Sequence, residues 1–341
     1  MTKGQSLCII NILDTREYRG KTKVSLRGTF SFNRSDLLIL GGIMKFAYYP
    51  GCTLKTAAKN FEVSTLSALE KLGIELIELP RWNCCGTVYS LASDDLIHHV
   101  APIRNLIRVK EAGENRVVTL CAMCYNTLKR SNLRIKENEE DRNKINSFMD
   151  REEIDYEGDV EVLHLLEILK TEIGFNKIKQ NVKNSLNDIK IAPYYGCLLL
   201  RPDDAKIDDP ENPTIMEDFI RSVGAEPIDF PYKNECCGSY HTVNELDLVV
   251  ERAHLIISYA KRLGADMLIT SCPLCEFNLD RRQKEVKEKF ADFEVLPVLY
   301  FTQILAVALG LDSKYYGFNL NYVDPNPVLK RYYEHKQEKS L

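Results

Sequence analysis

Basic charge is not in excess in this chain. Across 341 residues, 45 Lys and Arg face 49 Asp and Glu for a net charge of -4, which removes the electrostatic footprint of a nucleic-acid binder. A membrane-spanning run is also missing. The longest apolar stretch, residues 296–311, has 16 residues and contains Thr302 and Gln303, short of the roughly 20 a bilayer requires. No export signal of the usual form is present: the apolar run 7–13 is broken and no small-residue cleavage site precedes Asp14. Absent as well are a Gly-x-Gly-x-x-Gly fingerprint and a Cys-x-x-Cys-x-x-Cys ferredoxin run, so the chain has no means of taking electrons from a nicotinamide by itself. What is left is a cytoplasmic globular protein, 45% hydrophobic and 28% charged, long enough for two domains.

Cysteine is what the chain has in plenty. There are eleven, and in a reducing compartment thiols at that density point to metal ligation or redox chemistry before disulfides. Ten fall into two sets of five in the same order. Cys52, Cys84-Cys85-Gly86 and Cys121-x-x-Cys124 are followed by Cys197, Cys236-Cys237-Gly238 and Cys272-x-x-Cys275. Cys8 stands outside and reads as a small apolar residue or as absent from the mature chain.

The flanks repeat too, which marks a duplication. Tyr48-Tyr49-Pro50-Gly51-Cys52 matches Tyr194-Tyr195-Gly196-Cys197, and Leu72-Gly73-Ile74-Glu75 matches Val223-Gly224-Ala225-Glu226. Glu161-Val162-Leu163 is paired with Glu294-Val295-Leu296. Periodicity predicts strands over 46–49, 74–79 and 117–120 and from 160, with helices over 61–72 and 98–112. In the second copy strands start near Ile191, Ala225, Met267 and Phe293, with helices over 214–223 and 245–263. Alternation of this kind implies an α/β fold of two tandem repeats, each a small parallel sheet covered by helices. The cysteines follow the first three strands of each copy, at the carboxyl edge where such sheets bind ligands.

The expected domains are 45–176 and 189–318. Residues 1–44 lack the pattern, and Gly41-Gly42-Ile43 reads as a purine-rich ribosome-binding site, so a start at Met44 stands open beside translation of the extension. Residues 135–158 read as a solvated insertion, and 319–341 as a polar tail.

Thiolates suit zinc or iron-sulfur clusters. Five per copy exceed what one zinc or one ordinary cubane takes, although zinc in one copy stays open. The spaced Cys, Cys-Cys-Gly and Cys-x-x-Cys motifs resemble the duplicated cysteine-rich CCG domain in the B subunit of heterodisulfide reductase, over about residues 45–318. The resemblance implies pseudo-twofold symmetry and two noncubane four-iron four-sulfur clusters. Cys52, Cys84, Cys85, Cys121 and Cys124 would hold the first, and Cys197, Cys236, Cys237, Cys272 and Cys275 the second. It also implies disulfide reduction, with a ferredoxin-like iron-sulfur subunit and a flavoprotein as partners. Related domains serve as non-catalytic electron-transfer subunits in hydroxy-acid and dicarboxylate oxidation, the competing reading.

Other polar residues carry a bland reading beside a functional one. Lys55 and Arg201 are solvated side chains or contacts for an anionic substrate, and His241 is a bystander or a proton donor to a leaving thiolate. His98 and His99 read as surface or capping residues, and Trp82 as core packing or a water shield. Both Cys-Cys-Gly turns are expected on the floor of one cavity shared by the two repeats.

Overall fold

Each half of the chain builds the same four-strand parallel sheet. In the computed structural model, which describes residues 43–87 and 95–330, β1 (Met44–Tyr48), β2 (Ile74–Glu78), β3 (Arg116–Thr119) and β4 (Glu161–His164) lie in the order β2-β1-β3-β4. The strands β5 (Lys190–Tyr194), β6 (Glu226–Pro227), β7 (Met267–Thr270) and β8 (Val298–Tyr300) repeat that order as β6-β5-β7-β8. All pairings are parallel. The central strands are apolar and buried beyond their first residues because helices cover the sheets, and every residue of β7 is buried. Cys8 and most of the extension lie outside the described residues, as do residues 331–341 of the tail.

In the first repeat the helices include α1 (Lys59–Lys71), α2 (Val100–Glu111), α3 (Ala122–Glu137), α4 (Glu139–Phe148) and α5 (Leu165–Ile168). In the second, α6 (Ile215–Ser222), α7 (Leu246–Arg262), α8 (Pro273–Glu276) and α9 (Phe301–Ala308) take the matching places. The duplication extends to an ion pair. Lys45 faces Glu75 across β1 and β2 at 2.9 Å, and Lys190 faces Glu226 across β5 and β6 at 4.0 Å.

Three expectations change. The match of Glu161-Val162-Leu163 to Glu294-Val295-Leu296 is three residues out of register, since Thr119 pairs with His164 and Thr270 with Tyr300. His164 and Tyr300 are therefore equivalent, and each opens a helix with its backbone N–H bonded to the side chain three residues on, Glu167 at 2.7 Å and Gln303 at 2.9 Å. The last strand accordingly starts at Val298 and not near Phe293. The strand expected from Ala225 shrinks to Glu226–Pro227, because proline has no N–H to extend a ladder. Residues 135–158 are no simple solvated loop. Asn138 caps α4 by accepting from the Asp141 N–H at 3.0 Å, while Ile135, Ile145, Met149 and Tyr156 are buried; of these Ile145 and Met149, four residues apart, share one face of α4.

The repeats meet through apolar surface. Phe61 of α1 stacks on Tyr300 with centroids 4.2 Å apart, and Phe301 of α9 lies edge-on to both Phe61 and Phe219 at 5.8 and 5.5 Å. Ser64 and Thr302 share a hydrogen bond of 2.8 Å inside that contact, and the Ala122 N–H donates to the Ser271 carbonyl at 3.3 Å.

Candidate metal centres

Sharp turns carry the thiols off the strand ends. Gly51 and Gly196, directly before the first cysteine of each set, have φ of +71° and +66°. A Cβ there would stand 2.8 Å from Cys124 Sγ and 3.1 Å from Cys275 Sγ respectively, so only glycine lets the backbone pass that close. Behind each set sits a buried tyrosine. Tyr49 donates to the Asn83 carbonyl at 2.9 Å and Tyr194 to the Glu235 carbonyl at 2.7 Å, in both cases the carbonyl just before the Cys-Cys pair. That shared bond makes Tyr49 and Tyr194 equivalents, three residues ahead of the first cysteine in both copies.

The ten thiols are all free and form one continuous chain of contacts. Cys52 Sγ is 3.8 Å from Cys84 Sγ, and Cys85 Sγ is 3.7 Å from Cys124 Sγ. Cys84 touches Cys85, and Cys124 touches Cys121. Cys121 then meets Cys272 of the second set. From there the order runs back through Cys275, Cys237, Cys236 and Cys197, with Cys237 Sγ 3.6 Å from Cys275 Sγ. Cys121 and Cys272 hold the same position in their copies, so their meeting is the self-matched contact of a pseudo-twofold axis.

Crowding governs the ionisation of these thiols. Hydrogen bonds from neighbouring thiols hold Cys85 and Cys121 well below the usual thiol range; Cys236, bonded by Cys197 and then Cys237, is lowered to about 2. Their neighbours go the other way: Cys52, Cys124, Cys197 and Cys275 are raised, first by hydrogen bonding with an adjacent thiol and then by burial. Five adjacent thiolates cannot coexist without a compensating cation, and bound metal removes the protons outright. Among the described residues no three His, Cys, Asp or Glu side chains converge as a lone ion would require. Extended arcs of five soft donors fit a polynuclear iron-sulfur group along their length.

The surroundings of the two sets differ. All five cysteines of the first set line a cavity of about 320 Å3, walled by Tyr240, Leu274, Phe277 and Arg281 from the second repeat. The second set lines a pit of about 20 Å3 closed by Ala122 and Met123 from the first repeat. Met123 and Leu274, each inside a Cys-x-x-Cys, border both spaces. The single shared cavity expected from the sequence is thus two spaces with a common wall. The cysteine pairs also do not sit together on a floor: Cys84 and Cys236 are exposed at the rims, whereas Cys85 and Cys237 are buried.

The other candidate residues scatter. Lys55 lines neither space; its ammonium pairs with Glu62 and Glu78, both at 2.6 Å. Arg201 bonds the Asn234 carbonyl and Glu211, both at 3.2 Å, beside a separate surface cleft. His241 is exposed, and its neighbours Ser239 and Tyr240 reach the walls in its stead. His99 is buried against Ser131 at 2.8 Å. Trp82 donates to Glu78 at 2.9 Å and lies edge-on to Tyr49. Sequence reasoning missed Arg281, an exposed cation on the cavity wall, and Glu276, whose carboxyl burial pushes up to about 8. It also missed Tyr49 and Tyr194, whose matched offset was the available signal.

Comparison with known proteins agrees with this geometry. A family model described as a cysteine-rich domain, CCG, matches twice, over residues 46–129 and 191–280. The 8-methylmenaquinol:fumarate reductase membrane anchor subunit of Wolinella succinogenes is 33% identical over 82% of this chain and 97% of its own length. The B subunit of the ferredoxin:CoB-CoM heterodisulfide reductase of Methanosarcina mazei is 30% identical over 85% of this chain and 97% of its own. Among solved structures, a hypothetical protein from Helicobacter pylori superposes with a TM-score of 0.65 at 17% identity, over 85% of this chain and 56% of that one; this supports the fold.

Proposed function

We propose a function from a fixed premise: this chain belongs to the CCG cysteine-rich domain family. It is an iron-sulfur subunit of an oxidoreductase complex working in the cytoplasm, and it reduces a disulfide to two thiols at paired noncubane four-iron four-sulfur clusters. The domains that hold them are 45–176 and 189–318. The observation that carries the reading is the unbroken line of ten thiols through Cys121 and Cys272, which puts two ligand sets in contact. Bound there, the clusters supply open iron sites for sulfur and electrons one at a time. The overall change takes two electrons and two protons per disulfide. The electrons come from a ferredoxin-like subunit and, behind it, a flavoprotein.

The chain's own residues bind and orient. A disulfide resting on Met123 and Leu274 reaches the space above either set. Arg281 offers its charge to an anionic end of the substrate, the role expected of Lys55 and Arg201. The seam residues Cys121 and Cys272 are only 4% exposed, so water is excluded where the two sets meet. No helix among the described residues is long and apolar enough to cross a membrane.

A second reading, an electron-transfer subunit without a substrate of its own, draws support from the division into two spaces and from the relative in Wolinella succinogenes. Anaerobic purification followed by iron and sulfide analysis tests the common core, with about eight iron per chain expected. Two zinc and no iron would overturn it. Thiol release from a disulfide by the dithionite-reduced chain separates the two readings: none is expected of a pure relay.

A further inference from the structure

The two copies carry different hydrogen-bond donors at one matched place, beside the second cysteine of each Cys-Cys-Gly. The residue after the glycine is Thr87 in the first copy and Ser239 in the second; the third residue beyond the last cysteine is Thr127 in the first and Asn278 in the second. In the first copy Thr87 Oγ1 lies 2.7 Å from Cys85 Sγ and 2.9 Å from Thr127 Oγ1. Thr127 also reaches the Met123 carbonyl at 2.9 Å. Each hydroxyl has a single proton, and a ligating Cys85 has none. The thiolate therefore claims the Thr87 proton, and Thr127 keeps its own for Thr87 or Met123.

In the second copy a carboxamide does this work. Asn278 Nδ2 is 3.4 Å from Cys237 Sγ, 2.7 Å from the Ser239 carbonyl and 3.5 Å from the Cys237 carbonyl. All three are acceptors once the sulfur is a ligand, so the amide cannot be turned the other way without setting Oδ1 against them. Asn278 is fully buried, and among the described residues its Oδ1 has no partner. A group buried at that cost is held for its donor end.

Hydrogen bonds to ligand sulfurs draw off electron density and favour the reduced cluster, raising its potential. We propose that Thr87 and Asn278 are positioning residues that set the reduction potentials of the two centres independently, Thr87 through Cys85 and Asn278 through Cys237. Thr87 gives its one proton to Cys85, whereas the Asn278 amide divides two protons among three acceptors, and Thr87 also lines the larger cavity. The first centre accordingly has the higher potential, and electrons entering the pair settle where there is room for a substrate. This rests on the reading that each set holds an iron-sulfur cluster.

Reductive titration of the anaerobically purified full chain, followed by electron paramagnetic resonance and paired with iron analysis, tests it. Thr87→Val should lower one midpoint, so that at the wild-type midpoint the reduced-to-oxidised ratio of that centre falls at least threefold while the other centre is unmoved. Asn278→Leu should do the same to the other centre, by a smaller factor. Thr87→Ser, which keeps the hydroxyl, should titrate like wild type. Full iron content with both midpoints unchanged in Thr87→Val, or with both moved together, overturns the inference and leaves the cluster reading standing. A wild-type chain without iron overturns both.

Discussion

Tyr49 in the first repeat and Tyr194 in the second make the same hydrogen bond to the carbonyl before Cys-Cys-Gly, yet the polar groups around that shared frame differ from copy to copy. Beside the first set, Lys55 joins Glu62 and Glu78, with side chains 31%, 11% and 44% exposed, and Tyr48 donates to Glu62 at 3.2 Å. Beside the second, Lys233 and Glu217 pair at 2.6 Å with side chains 11% and 9% exposed, and Tyr195 donates to the same carboxylate. The cysteines and the turns that place them are duplicated; the side chains packed around them have diverged. Divergence of that kind is what a pair of centres with different duties requires, since two clusters in identical surroundings would have one potential and one accessibility.

The strongest way to break the comparison is to remove one set of ligands. Replacing Cys272 and Cys275 together by Ser should empty the second set and leave the first, so iron falls to about half of its wild-type value. Loss of nearly all iron would show that contact between Cys121 and Cys272 makes the ten thiols one assembly unit. A smaller effect is expected from the two lysines. Lys233→Met strands Glu217 in the interior and should cost about 3 kcal/mol, whereas Lys55→Met, whose native side chain is 31% exposed and divided between the buried Glu62 and the half-exposed Glu78, should cost less, about 2 kcal/mol. Denaturation midpoints of the two variants give the difference, and equal costs would mean that the second shell is no more buried in effect than the first.

The two cysteine sets were legible because they leave a local trace: cysteines at fixed offsets after strand ends, with glycine where the backbone must pass a sulfur. The parallel sheets and the tandem architecture followed from the same alternation of apolar runs and helical stripes, whereas the strand order came only from the structure. The last strand of the second copy was not legible, since Glu-Val-Leu recurs by chance at 294–296 and only the pairing of Thr270 with Tyr300 fixes the true register. The insertion at 135–158 looked soluble by composition, and its few apolar residues were enough for one buried face. Nothing local announces that Cys121 meets Cys272, that Arg281 reaches the first set, or that one space is far larger than the other. Those facts arise from how two folded repeats dock, and no window of sequence contains both sides of the seam.

The finest contrast lies at one equivalent position, His164 against Tyr300. His164 is fully buried, with Nε2 2.9 Å from the Leu120 carbonyl and Nδ1 accepting from the Leu166 N–H at 3.2 Å. That arrangement needs the neutral ring, and burial lowers its pKa to about 4. The unfolded chain, titrating near 6.5, binds the proton first. Stability from this group is thus fully present above pH 6.5 and is lost as the pH falls toward 4, on the order of 2 kcal/mol between pH 7 and 5. The second repeat has the opposite sign. Burial pushes Glu276 up to about 8 and Asp280 up to about 6, so the folded form holds protons that the unfolded form releases, and stability rises as the pH falls through the same window. Hydrogen exchange at pH 7 and pH 5, corrected for intrinsic rates, should show β4 and α5 losing protection while β8 and α9 keep or gain it. The loss in β4 and α5 should vanish in His164→Gln, which has no titrating ring, while the response of β8 and α9 stays as in the wild type. Parallel changes in both repeats would mean that they unfold as one cooperative body, in which case their chemical divergence is not matched by any independence in folding.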